Sequence, residues 1–174
     1  MKRILLLSDT HGHLDDAILK HVVQADEVWH AGDWGGGMLV SDRLEALKPL
    51  RGVYGNIDGA ELRQVHPELQ LFQLEGFKVM MMHIGGYPGH FPAAVRQLIT
   101  REQPNMFVCG HSHILRVMRD QQYGMWCLNP GAAGISGFHQ KRTMLRFALH
   151  QGQLLEPAVI ELGPRSALPD KDYL

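Results

Sequence analysis

Seven side chains of metal-binding type stand just beyond apolar runs: Asp9, His11, Asp33, Asn56, His83, His111 and His113. They come from five separate places in a chain of 174 residues. Mixed imidazole, carboxylate and amide donors suit manganese, iron or zinc better than calcium or magnesium. Seven donors exceed what one such ion takes. They suit two ions about 3.5–4 Å apart that share a carboxylate. Each residue also has an ordinary reading. His83 reads as a core histidine, and His111 and His113 read as turn residues. Asn56 beside Gly55 is a turn asparagine, and Asp33 after Gly32 is a helix cap. Only the five places together point to metal.

The elements that must position these residues are legible as apolar runs. Arg3 to Leu7 reads as a strand buried on both faces, because it is continuously apolar up to Ser8-Asp9-Thr10-His11. A helix follows over about 14–24, with Leu14, Ala17, Ile18 and Val22 on one face. Glu27 to Ala31 is a second strand ending at Gly32-Asp33. Gly35-Gly36-Gly37 reads as a plain loop, since no P-loop lysine follows it. A helix bearing Val40, Leu44 and Leu47 runs to Pro49, and Arg51 to Tyr54 is a third strand. Three such units in a row argue for a mostly parallel sheet with a crevice at its carboxyl edge.

Thereafter Leu69–Leu74 and Phe77–Met82 read as a hairpin about Glu75-Gly76, ending at His83. Pro92 opens a helix with Phe91, Ala94, Val95, Leu98 and Ile99 on one face. Met106 to Cys109 is a buried strand that runs into Gly110-His111-Ser112-His113. Segments 114–119 and 125–128 are paired strands, 129–132 is a tight turn, and 142–149 and 154–162 form a last hairpin. Residues 1–163 are expected to form one domain, and 164–174, with Pro169 and four charges, a loosely held tail.

The net charge of −1, with histidines neutral, provides no broad field for nucleic acid or an anionic membrane. No apolar stretch approaches the ~18 residues that span a bilayer, and the apolar stretch Ile4 to Leu7 is too short for a signal peptide. Cys109 and Cys127 sit in apolar runs and read as buried free thiols of a reducing, cytoplasmic compartment. Oligomeric state is open, a homo-oligomer included.

Asp9-x-His11, Gly32-Asp33, Gly55-Asn56-x-Asp58, His83, Gly110-His111-x-His113 and Asn129-Pro130-Gly131 together resemble the calcineurin-like metallophosphoesterase superfamily, in particular its small bacterial and archaeal phosphodiesterase branch. The resemblance runs from residue 3 to about residue 134. It implies a four-layer-type α/β sandwich of two mixed sheets flanked by helices, the metallophosphoesterase fold. It further implies that Asp9, His11 and His113 hold one metal, that Asn56, His83 and His111 hold a second, and that Asp33 bridges them. Asp33, Asn56 and His111 are the catalytic set. The cofactors implied are two divalent ions, Mn²⁺ first, with iron, zinc or nickel as substitutes. The activity implied is hydrolysis of a small phosphate ester, a diester before a monoester, by attack of a metal-bridging hydroxide.

Several positions depart from the branch pattern. Ile57 stands where many superfamily members carry a histidine, leaving His13 as an alternative proton donor or a plain loop residue. Gly85 stands where the branch often has a second histidine, with His90 the candidate to fill the gap. Ala132 replaces a frequent serine, and Asp58 reads as a carboxylate that orients a ligand. Loops 34–38, 84–91 and 134–139 would select the substrate, with Tyr87, Phe91, Phe138 and His139 as contacts or as packing. Two other functions fit the same fold: a non-catalytic scaffold or binding module, as in retromer's phosphoesterase-like subunit, and a nuclease, disfavoured by the small neutral chain.

Overall fold

A computed structural model describes residues 1–166. Two five-stranded mixed sheets lie face to face with helices on their outer sides. The first has the order β10-β9-β1-β2-β3, built from β1 (Lys2–Leu7), β2 (Glu27–His30), β3 (Leu50–Gly52), β9 (Lys141–His150) and β10 (Gln153–Pro164). The second has the order β4-β5-β6-β8-β7, built from β4 (Leu69–Leu74), β5 (Phe77–Met82), β6 (Met106–Val108), β7 (Leu115–Arg119) and β8 (Trp126–Pro130). β1, β2 and β3 are mutually parallel, as are β5, β6 and β8, while β9, β10, β4 and β7 join antiparallel.

The alternation of strand side chains explains the continuous apolar runs. Ile4 and Leu6 face Val79, Met81 and Val108 between the sheets. Leu5 and Leu7 face outward, beneath α1 (Asp16–Val22), which packs Ile18 and Val22 against them. α2 (Leu39–Glu45) and α3 (Ala60–Val65) add Val40, Leu44 and Leu62 to the same layer. α4 (Ala93–Glu102) covers the other sheet, with Val95 and Ile99 against Met80 and Phe107. Both hairpins turn at residue pairs with positive φ, Glu75-Gly76 and Gln151-Gly152, the twist that matches antiparallel strands.

Some expectations need correction. α3 has no counterpart among the elements read from the sequence: it is six residues long, with Leu62 its one buried side chain, so no apolar period announces it. Leu47 lies beyond the end of α2 and is 43% exposed, so it is no part of the helix's packed face. Asn129 and Pro130 end strand β8, opposite Arg116 and Leu115, and do not form a turn. Pro130 is the last residue of β8. Cys109 and Cys127 are buried and unpaired. Pro164 still pairs with Lys141, and the Arg165 N–H donates to Gln140 O. The rest of the expected tail, 167–174, lies outside the described residues.

Candidate metal centre

All seven candidate residues come together at the edge where the parallel strands of both sheets end. Asp9 and His11 follow β1, Asp33 follows β2, Asn56 follows β3, His83 follows β5, and His111 and His113 follow β6. Five of them, Asp9, His11, Asp33, His111 and His113, have φ between 48° and 67°. The left-handed region costs an L-residue about 1–2 kcal/mol. Strain of this kind collects at functional sites. Neighbouring glycines make the close approach possible. A Cβ on Gly32 would stand 2.6 Å from His83 Nδ1, and one on Gly55 would collide with the Asp33 carboxylate.

The ligand-type atoms fall into two adjoining groups. In one, those of Asp9, His11 and His113 lie within 4.8 Å of one another; in the other, those of Asp33, His83 and His111 do. Asp33 faces both groups, with Oδ1 3.2 Å from His83 Nε2 and Oδ2 3.8 Å from His11 Nε2. Asn56 Oδ1 stands 3.1 Å from His83 Nε2 and 2.9 Å from His111 Nδ1.

Hydrogen bonds behind the cluster decide which way its lone pairs point. His83 Nδ1 is 2.7 Å from Ala31 O; a carbonyl only accepts, so Nδ1 carries the proton. In the neutral ring Nε2 then turns a lone pair toward the oxygens of Asp33 and Asn56. His139 Nε2 likewise donates to Gly134 O at 2.9 Å. Neutral His139 therefore presents Nδ1 as the acceptor for His113 Nδ1, 3.1 Å away. His113 Nε2 is left with its lone pair 3.0 Å from Asp9 Oδ1. Asp9 Oδ2 is satisfied by the Ser8 hydroxyl at 2.5 Å and the His111 N–H at 3.1 Å. Asp9 Oδ1 and His11 Nε2 are buried without a hydrogen-bond partner. Acceptors facing acceptors in a buried place call for positive charge. Without a cation, a proton on Nε2 supplies that charge at His83: burial pushes its pKa down, but the hydrogen bond from Nε2–H to Asp33 and the charges of Asp9 and Asp33 bring it above its ordinary value. Burial pushes the Asp33 carboxyl up, and His83, the Ile57 N–H and His11 together hold it below the usual range. The donor set thus fits two divalent cations, one per group.

Around the cluster, buried Asp58 accepts N–H groups from Trp34, Gly35 and Gly55, tying the two loops that carry Asp33 and Asn56. Asn129 donates to Gly110 O and to the Ser112 hydroxyl, holding the turn of His111 and His113. Trp34 lies between the rings of His30 and His66, at 3.7 Å and 4.3 Å. The Gly32 N–H donates to His30 Nδ1, so His30 Nε2–H donates to Thr10 Oγ1. Burial holds His30 well below its ordinary pKa, as a neutral ring.

Other candidates lie elsewhere. His13 is bound to Asp15 at 3.0 Å, at the start of α1. His90 is exposed and packs on Tyr87, whose ring also meets the Arg116 guanidinium. Phe91 is buried in the layer under α4. Position 85 accepts no histidine in this packing, because a Cβ there would collide with the Phe107 ring. Ile57 and Phe138 line the cavity over the cluster, together with His139. Reading the sequence missed that His139 supports His113, and it missed the His30–Trp34–His66 stack. The one sequence signal was the surplus among eleven histidines.

Residues 1–152 match the model of the calcineurin-like phosphoesterase superfamily domain. The chain belongs to that superfamily. A probable metallophosphoesterase of Mycoplasma pneumoniae is 31% identical over 162 residues, covering 88% of this chain and 94% of that protein. A probable metallophosphoesterase of Methanothermobacter thermautotrophicus is 28% identical over 169 residues, covering 91% of each. Among solved structures, a Thermotoga maritima protein superposes with a TM-score of 0.68 at 26% identity, covering 92% of this chain and all of that one. Wild-type Vps29 of Entamoeba histolytica, complexed with Zn²⁺, superposes with a TM-score of 0.69 at 17% identity, covering 92% and 99%. At that identity Vps29 shows the calcineurin-like fold alone, which agrees with the two mixed sheets expected. No helix among the described residues is long and apolar enough to cross a membrane.

Proposed function

We propose that this superfamily member is a dinuclear metal-dependent phosphodiesterase, with Asp9, His11 and His113 holding one ion, Asn56, His83 and His111 the other, and Asp33 between them. The observation that carries the reading is the pairing of His83 and His113. Each gives its Nδ1 proton to a partner behind it, and each turns the other nitrogen onto a carboxylate. The reading takes manganese as the metal, on the mixed donor set. When bound, the ions supply a water of lowered pKa and neutralise phosphate oxygens.

The chain's own residues do the rest. Asp33, with an oxygen toward each group, would be a ligand to both ions. Asn56 and His111 border the cavity where the phosphate would sit, and Asn56 keeps an amide N–H₂ to donate to a phosphate oxygen. Ile57 provides no proton for the leaving group. Ester oxygens that leave readily as anions are therefore the ones this site serves, which agrees with a diester of an acidic alcohol or phenol. Burial of Asp9 and Asp33 keeps bulk water from competing for the carboxylates.

Seven clustered donors, two of them imidazoles whose tautomers are set by partners behind them, favour the enzymatic reading over a scaffold on the same fold. One domain over 1–163 and a cytoplasmic setting belong to the proposal. The setting is supported by two buried unpaired thiols, each pushed up to about 12 chiefly by burial. The test is turnover of bis(p-nitrophenyl) phosphate by Mn²⁺-loaded protein against Asp33→Asn. Metal-dependent turnover lost in the variant supports the reading; no turnover, or equal turnover, overturns it.

A further inference from the structure

The cavity over the cluster has a polar floor and apolar walls. It encloses about 520 Å³. Three of its side chains, Ile57, Ile114 and Phe138, are 48%, 52% and 104% exposed. They come from three different segments: the loop after β3, the turn before β7 and the loop before β9. Apolar side chains scattered singly over a surface mean little, but several gathered at one concave site form a binding wall. Gly137 lets the Phe138 loop lie against the site, since a Cβ there would collide with the His113 ring. No lysine or arginine is among the described residues that line this cavity. A second phosphate or carboxylate seated in this cavity, away from the ions, would therefore meet no lysine or arginine side chain there, and nucleic acids and polyphosphates are recognised through such cations.

We infer that the phosphate ester taken by this site carries an uncharged apolar group, seated on Ile57, Ile114 and Phe138, and no second anionic group near the reacting phosphate. The inference rests on the phosphoesterase reading and names its substrate class. A small ligand is favoured over a protein partner because the three side chains wall a cavity with the ligand cluster at its base. Phe138 contributes a free ring face, so an aryl group gains most.

Binding, without turnover, tests this. Full-length protein loaded with Mn²⁺ is titrated calorimetrically with methylphosphonate, phenylphosphonate and 4-carboxyphenylphosphonate. The expected result is that phenylphosphonate binds about five- to tenfold tighter than methylphosphonate, the size of one good aromatic contact. The added carboxylate should cancel that gain, and Phe138→Ala should collapse the phenyl-to-methyl ratio toward one. Equal binding of the phenyl and methyl compounds overturns the inference, as does a ratio untouched by Phe138→Ala or tighter binding of the carboxylated ring. In those cases methylphosphonate binding still upholds the metal-centred reading. Failure of all three to bind removes both.

Discussion

His113 Nδ1 and His139 Nδ1 lie 3.1 Å apart, and His139 Nε2 donates to Gly134 O at 2.9 Å, so a two-step relay fixes the tautomer of a candidate metal ligand. His139 acts through His113 and is a positioning residue. Replacing His139 with Leu should weaken binding of one Mn²⁺ about 10–100-fold, as for other partners that orient a ligating imidazole. His139→Asn, which keeps an acceptor where Nδ1 stood, should restore most of the loss. Calorimetric titration with Mn²⁺ reads both. Equal losses in the two variants would mean that His139 only packs.

Asp33 presents one carboxylate oxygen to each group, Oδ1 to His83 at 3.2 Å and Oδ2 to His11 at 3.8 Å. In Asp33→Asn the metal content at saturation should fall from two ions per chain to at most one, and turnover should drop at least about 100-fold, the order seen when a major electrostatic contribution is lost. Elemental analysis of dialysed protein gives the first number and a chromogenic diester assay the second. Two tightly held ions in the variant would rule out a bridging role.

Facing lone pairs leave the cluster short of positive charge, which a cation supplies. Mn²⁺ at about 100 times its dissociation constant should stabilise the fold by about 2.7 kcal/mol per site. For a domain of this size that is about 5–11 °C in Tm. Scanning calorimetry with Mn²⁺ and then with excess chelator should show the rise and its reversal. A Tm indifferent to both would contradict the metal centre.

Asp15 caps α1 by accepting the Ile18 N–H and pairs with Arg142 at 2.9 Å. Burial raises its pKa, but hydrogen bonds from Arg142 and His13 and the Arg142 charge bring it down to about 2. A carboxyl whose folded pKa lies below its unfolded value stabilises the fold above the unfolded value, near 3.8, and loses that contribution as pH falls toward 2. Asp15→Asn keeps a good cap and removes the charge. Its Tm should lie below that of the parent above pH 4, and the gap should close between pH 4 and 2. A gap independent of pH would place the effect in the cap.

Gly85→His, which supplies the histidine that the superfamily branch often carries, should not improve metal binding. Its Cβ collides with Phe107, and overpacking of a core costs about 1–3 kcal/mol. Thermal melts should show a lower Tm, and metal titration no gain in affinity.

Much of this architecture was legible residue by residue. Ile4 to Leu7 is apolar without a break because one face meets the other sheet and the other face meets α1; such a run announces a doubly covered strand. Glu75-Gly76 and Gln151-Gly152, each a polar residue followed by glycine between apolar runs, announce their hairpins. α3 was hidden because one buried leucine makes no period. Pro130 was misleading because proline signals a turn, while here it is the last residue of β8. Ile57 and Gly85 were visible as departures, but only packing shows that Phe107 closes position 85 and that Ile57 walls the cavity.

By itself the sequence determined the inventory: which donors exist, that each follows a strand, and that no lysine serves a phosphate loop. Those facts are local, since an apolar run and the residue that ends it are neighbours along the chain. The tertiary structure alone decided convergence and direction. Asp9 and His113 lie 104 residues apart in sequence and 3.0 Å apart in space because two sheets stack with their strand ends at one edge. Which nitrogen of His83 or His113 faces inward depends on Ala31 O and His139, partners that only the packed fold brings within reach.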